Sequence, residues 1–230
     1  MSRRPTRSAV LPIIILAAAV FLWAFDTYRQ ATPPRPPATS DAPYKTSAKT
    51  GSKPSKTGDY ETFHGCTLAQ DRGNDGDSFR VKLPDGRSEI IRLYFVDTPE
   101  SAFKSYGGGE NNHRRIAQQA AVMGGITPQQ AVGIGKKAKA YTLATLEKSP
   151  FTIHTNWDDP FKDRRYHAFV EVTVHAKPRF LHELLVEKGL ARIHTKGAPL
   201  PDGTSEKKHE DRLYEIQSIA KANESGAWGL

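Results

Sequence analysis

Ser88-Glu89-Ile90-Ile91-Arg92-Leu93-Tyr94-Phe95-Val96-Asp97-Thr98-Pro99-Glu100 decides how this chain is read. From Ser88 to Val96 it is apolar on nearly both faces, as a deeply buried strand requires. Pro99 has no backbone N–H for a ladder and ends the strand. Yet the strand carries Arg92, and a buried guanidinium needs an anionic partner. Asp97 and Glu100 supply carboxylates, three residues apart across Pro99, so that a turn brings both to one side. Strict alternation sets Arg92 and Asp97 on opposite faces. The two reach one site only if the strand twists or bends before Pro99.

Upstream lies Asn74-Asp75-Gly76-Asp77, then Ser78 to Leu83, which alternates with Phe79, Val81 and Leu83 inward. Pro84-Asp85-Gly86-Arg87 is a turn leading into the decisive strand. Downstream, Asp163-Arg164-Arg165 adds guanidiniums. Hard divalent cations prefer carboxylate and carbonyl oxygens, so Asp77 and Asp97 with a backbone carbonyl form a loose cage suited to calcium rather than zinc. With Asp97 and Glu100 on one side, one ligates while the other acts as base toward a water. Arg92 and Arg165 are planar donor forks that match phosphate oxygens. Taken singly, Asp75-Gly76 reads as a turn and Asp97-Thr98-Pro99 as a strand-end cap. Arg165 alone reads as one of several solvated loop charges with Lys162 and Arg164. The full set in this order is far more specific than its parts.

Around this set the elements run three strands, a helix, two strands, two helices. Residues 101–133 read as an insertion, with a glycine loop at Gly107-Gly108-Gly109 and a short helix from Asn112 to Val122. Thr127-Pro128 is a helix start. That helix continues toward Glu147 with Ala138, Tyr141, Thr142 and Leu146 inward, although Gly133 and Gly135 weaken it. Phe151 to Asn156 and Tyr166 to Val174 are strands, Leu181 to Lys188 is a helix stopped by Gly189, and a final helix runs from Ser205 to about Asn223. The predicted fold class is α+β: a five-stranded barrel with about three packed helices over residues 60–230. A doubly wound sheet is excluded, because its strands and helices alternate throughout.

The net charge of +8 points weakly to a polyanion, because residues 1–60 hold nine Lys/Arg against three Asp/Glu and the remainder is nearly balanced. Residues 1–8 are a basic start with Arg3, Arg4 and Arg7. Residues 9–25 are an uncharged apolar run, read as a signal peptide or, by preference, an uncleaved signal-anchor facing the rest of the chain outward. Residues 26–59, rich in Pro, Ser, Thr and Lys, form a disordered tether. The expected localisation is therefore export: membrane-anchored outside the cytoplasm, or secreted. Cys66 is the single cysteine, which excludes an internal disulfide, and it reads as an inert buried thiol. His182-Glu183-Leu184-Leu185-Val186 opens like a zinc-protease helix, but Val186 stands where the second histidine belongs.

Asp75-Gly76-Asp77-Ser78, the block from Arg92 through Asp97-Thr98-Pro99-Glu100, Asp163 to Ala168, Leu184 to Ala191 with Gly189, and the closing Gly226-Ala227-Trp228 together resemble the staphylococcal nuclease (thermonuclease) family. The resemblance spans roughly residues 61–230 apart from the insertion. It implies an oligonucleotide-binding (OB) type barrel and calcium-dependent hydrolysis of DNA and RNA that leaves 3′-phosphates. It assigns Asp77, Asp97 and the Thr98 carbonyl to Ca2+, Glu100 to the base or water-orienting role, and Arg92 and Arg165 to phosphate. Asp163-Arg164 departs from the family's Tyr-Gly, and Thr195 and Gly197 stand where relatives place tyrosines against the nucleotide. Lys162 and Arg164 are further candidates for substrate binding. In the insertion, Arg114 and Arg115 read as an ordinary surface helix in preference to phosphate contacts. The competing reading is a non-catalytic nucleic-acid-binding module of the same fold. A third, an envelope interaction domain, leaves Arg92 with little explanation.

Overall fold

The computed structural model describes residues 54–230. The expected basic start, the apolar run and nearly all of the tether lie outside the described residues. Among the described residues no helix is long and apolar enough to cross a membrane. In chain order the elements are β1 (Ser55–Thr57), β2 (Tyr60–Leu68), β3 (Ser78–Lys82), β4 (Ser88–Leu93), β5 (Val96–Asp97), α1 (His113–Val122), α2 (Pro128–Glu147), β6 (Phe151–Thr155), β7 (Arg165–Val174), β8 (Lys177–Phe180), α3 (Leu181–Glu187), β9 (Arg192–Ile193) and α4 (Glu206–Ala222). Single turns of 3-10 helix lie at Gly107–Gly109 and Gly226–Gly229.

Five strands close on themselves in the order β2, β3, β4, β7, β6 and back to β2, antiparallel throughout except for the parallel β4–β7 pair. Closure leaves these strands no free edge, and four helices pack outside it, an OB-like α+β fold. Phe79, Val81 and Leu83 all point inward as their alternation requires, joining Phe63, Ile91 and Phe169 in the core. Each such side chain contributes roughly 1.5–3 kcal/mol by leaving water. Among the described residues the helices number four where about three are expected, because both α1 and α2 form between β5 and β6.

The strand expected from Ser88 to Val96 is in fact two strands. β4 stops at Leu93, and Phe95 takes a left-handed backbone conformation with φ of 67°. A non-glycine residue there costs energy. The surroundings hold it in place: the Phe95 N–H donates to the Lys196 carbonyl, and its own carbonyl accepts from the His194 N–H. The ring packs against Phe169, His182 and His209. This kink resets the alternation, so Arg92 on β4 and Asp97 on β5 face one another although five positions apart.

α2 begins as expected and continues without a break. Thr127 and Gln130 form a reciprocal capping box with Pro128 at the first turn. Gly135 does not weaken this helix so much as let it approach. A Cβ there would lie 2.4 Å from the Pro99 carbonyl oxygen and 2.5 Å from that of Glu100, whereas one at Gly133 would meet nothing within 4 Å.

At the far end, Gly189 (φ of 62°) and Gly226 (φ of 59°) interlock. The Ala227 N–H donates to the Gly189 carbonyl, and a Cβ at Gly189 would lie 2.0 Å from the Ser225 carbonyl oxygen. The closing turn is thereby seated on the C-terminal end of α3.

His182 on α3 and His209 on α4 are both buried, with their Nε2 atoms 2.7 Å apart. Burial lowers both pKa values, that of His209 to about 4. Both rings are therefore neutral in the fold near neutrality, whereas in the unfolded chain they protonate near 6.5. The unfolded state binds more protons below that pH, so stability falls on acidification from about 6.5 to about 4, by at most ~1.4 kcal/mol per pH unit per histidine. Melting temperature measured against pH is expected to fall across this window, and His209→Leu to shallow the slope. An unchanged slope in that variant would rule the pair out as the cause.

Candidate active site

An open cleft of about 290 Å³ lies over the ends of β3 and β4, lined by Asp75, Asp77, Arg92, Glu100, Arg115 and Arg165 among others. α2 packs behind the loops that line it. Thr142 Oγ1 donates to the Gly76 carbonyl at 2.8 Å, Ala138 lies against Gly76, and Gly135 abuts Pro99 and Glu100. A Cβ on Gly76 would fall 2.7 Å from Thr98 Oγ1, so the Asp75-Gly76-Asp77 loop reaches Thr98 only because position 76 is glycine.

Asp77 is buried; its Oδ2 accepts from the Thr98 N–H at 3.1 Å and its Oδ1 from Ser78 Oγ at 3.0 Å. Burial raises its carboxyl above the usual range; the Arg92 guanidinium opposes this and the nearby Asp97 charge adds to it. Asp97 is 1 % exposed and accepts four N–H donors. Arg92 Nη2 at 3.5 Å and Arg115 Nη2 at 2.6 Å reach Oδ1; Gln119 Nε2 at 2.9 Å and Arg192 Nε at 2.8 Å reach Oδ2. Arg92 Nη2 also lies 3.8 Å from Asp77, which answers the demand of a buried guanidinium for an anion. Its Nε is buried with no partner among the described residues. Glu100 Oε1 is 3.0 Å from Arg115 Nε, and its Oε2 accepts from Asn112 Nδ2 at 3.4 Å.

On the opposite rim Arg165 is half-buried, and Asp163 grips both its Nε, at 2.8 Å, and its Nη2. This ion pair holds the Asp163 carboxyl below the ordinary range and the Arg165 guanidinium above its own. The structure thus brings together Asp77, Arg92, Asp97, Thr98, Glu100 and Arg165. Lys162 and Arg164 it does not: both are exposed, take left-handed backbone conformations, and stand outside the cleft lining. In the same loop Phe161 is exposed, with Arg92 5.9 Å from its ring centre. Position 197 has no room for an aromatic side chain, since a Cβ would lie 2.5 Å from Glu206 Oε1 and 2.7 Å from Phe95.

Three contributors escape the sequence reading. Arg192 follows directly on the Leu184–Ala191 block and is aimed at Asp97 by the β5–β9 pairing. Arg115 and Gln119 lie one helical turn apart on α1, on the same face. The expectation of an ordinary surface helix holds for exposed Arg114 and fails for Arg115, because a long side chain rooted near the surface spans to Asp97 and Glu100.

Asp77, Asp97 and the Thr98 carbonyl are oxygen donors of the right kind for calcium. Asp97, however, has no acceptor position to spare. A carboxylate offers about four acceptor positions, and Asp97 fills them with nitrogen donors. The Thr98 carbonyl accepts from Gln119 Nε2 at 3.0 Å. Among the described residues no group of three or more His, Cys, Asp or Glu side chains has a metal-holding arrangement. In this arrangement the residues do not fit a divalent ion.

No curated protein matches the chain in sequence. The profile of the staphylococcal nuclease homologue family matches residues 90–229, from the middle of β4 to the closing turn, and so takes in the kinked strand pair, α1, α2 and the Arg192 strand. With more than half its length matched and an OB-like barrel carrying the paired carboxylates and arginines at one cleft, this chain belongs to the staphylococcal nuclease homologue family.

Proposed function

We propose that the cleft hydrolyses phosphodiester bonds of DNA, RNA or both. The observation that carries this reading is Arg92, a buried guanidinium anchored on Asp77 and Asp97 in the lining of the cleft. A phosphate entering the cleft meets a guanidinium that the fold has already desolvated. Arg165 on the facing rim takes a second oxygen once substrate competes with Asp163 for it. The two guanidiniums then stabilise the extra negative charge of the five-coordinate phosphorus. Glu100 is held by Arg115 and Asn112 and keeps lone pairs for a water, whose proton it accepts as the oxygen attacks phosphorus. The bond from phosphorus to the 5′ oxygen breaks, leaving a 3′-phosphate, and the departing oxygen takes a proton from solvent. Calcium on Asp77, Asp97 and the Thr98 carbonyl is the cofactor the family resemblance implies. It enters none of these steps, because the acceptor positions of Asp97 are filled by nitrogen donors. The basic start and apolar run of the sequence support an activity outside the cytoplasm, anchored or secreted.

A binding module needs none of this arrangement around Glu100, which ranks it second. The test is incubation of the full-length chain with single-stranded and duplex DNA and RNA, with calcium and with chelator, beside Asp97→Ala and Arg165→Ala. Cleavage lost in both variants is the expected result. Tight binding without cleavage under every condition would replace the hydrolase with the binding module.

A further inference from the structure

We propose that Arg115 is the built-in cation of this site: its guanidinium takes the place of a divalent ion between Asp97 and Glu100, and calcium binds there only by displacing it. The proposal rests on the location of the site under the nuclease reading, not on cleavage. Its basis is the way α1 docks. Arg115 Nη2 lies 2.6 Å from Asp97 Oδ1 and its Nε 3.0 Å from Glu100 Oε1, so one planar group bridges the two carboxylates. Arg92 and Arg192 complete the cluster. Three guanidiniums thereby face the carboxylates of Asp77, Asp97 and Glu100, and the charge is balanced without an added ion.

Gln119 fixes the register of this plug. It is fully buried, its Oε1 accepts from the Glu100 N–H, and its amide N–H groups reach both Asp97 Oδ2 and the Thr98 carbonyl. Breaking these bonds without replacement would strand buried polar groups, so Gln119 anchors α1 and presents Arg115 from the preceding turn. Exposure shows which part of the cluster is exchangeable. The Asp97, Arg92 and Arg192 side chains are 2 %, 8 % and 9 % exposed, whereas that of Arg115 is 46 % exposed. Arg115 can swing into solvent without disturbing the others. A guanidinium and a dication cannot share the same carboxylate oxygens, since their repulsion a few ångströms apart in a partly buried site is strong. Displacement, not co-occupancy, is the consequence.

The deciding experiment is calorimetric calcium titration of the full-length chain as wild type, Arg115→Ala, Arg115→Gln, Arg114→Ala and the double variant Arg115→Ala/Asp97→Asn. Removing the charge at 115 is expected to tighten calcium binding about tenfold or more, and adding Asp97→Asn to abolish the gain. Arg114→Ala deletes the same charge one residue away and is expected to leave affinity unchanged. Arg115→Gln keeps most of the side-chain length and gives the same answer should the alanine variant fail to fold. Equal affinity in wild type and the 115 variants, an equal gain from Arg114→Ala, or no calcium binding in any variant would overturn the proposal. Cleavage is measured on the same preparations. Its absence throughout would remove the hydrolase reading while the ranking of calcium affinities still decides the role of Arg115.

Discussion

Alanine at position 92 is expected to lower kcat/KM for phosphodiester cleavage by roughly 100- to 1,000-fold, the scale seen when a donor aimed at developing charge is removed. The reason is positional. Among the described residues lining the cleft, Arg92 is the guanidinium that is buried and doubly anchored on Asp77 and Asp97. Lysine at 92 should recover little, because a point charge reproduces neither the fork nor the simultaneous grip on two carboxylates. Truncation also takes the guanidinium away from buried Asp77, while Asp97 keeps Arg115, Gln119 and Arg192, and costs up to about 3–5 kcal/mol of stability, so rates are to be taken at a temperature where circular dichroism shows the variant folded. Arg165→Ala is the comparison without that complication, since Arg165 is partly exposed and paired only locally with Asp163. Near wild-type turnover by folded Arg92→Ala would remove Arg92 from the reaction.

The second large effect separates two glycines in one helix. Gly133→Ala is expected to be neutral or to stabilise by up to about 1 kcal/mol, as glycine is a poor helix former and nothing lies near its absent Cβ. Gly135→Ala is expected to destabilise by roughly 1–3 kcal/mol. It is also expected to depress activity, because the new methyl meets the backbone carbonyls of Pro99 and Glu100 and pushes Glu100 and the Asp97 turn outward together. Thermal melts and cleavage rates on both variants check the pair. Equal behaviour would mean that α2 does not set the position of Glu100.

Much of the fold is legible in the residues alone, and the places where it is not have physical causes. The strands announce themselves by alternation, as at Phe79, Val81 and Leu83, and α2 by its Thr127-Pro128 start. A buried arginine in an apolar strand demands carboxylates, and Asp77 and Asp97 supply them. What alternation cannot give is the parity between Arg92 and Asp97. The required bend is a left-handed conformation at Phe95, a residue whose type gives no hint of it, held by contacts from residues 194–196 and from the His182–His209 pair. Arg115 and Gln119 are hidden for a related reason. Helical spacing shows that they share a face, but not what that face meets, and α1 reads as polar surface until Asp97 is placed beneath it. Lys162 and Arg164 err the other way, since adjacency to Arg165 in sequence says little in a loop whose backbone reverses hand at both residues.

The interlock of Gly189 with Ser225 and Gly226 bears on how the molecule is made. The turn that seats against α3 follows every barrel strand and every one of the four helices in chain order. While the ribosome still holds that turn, the barrel strands and α2 are already outside the exit tunnel, but the segment that completes the packing around Gly189 is not. Final closure of this domain therefore comes late, once the closing turn has itself emerged.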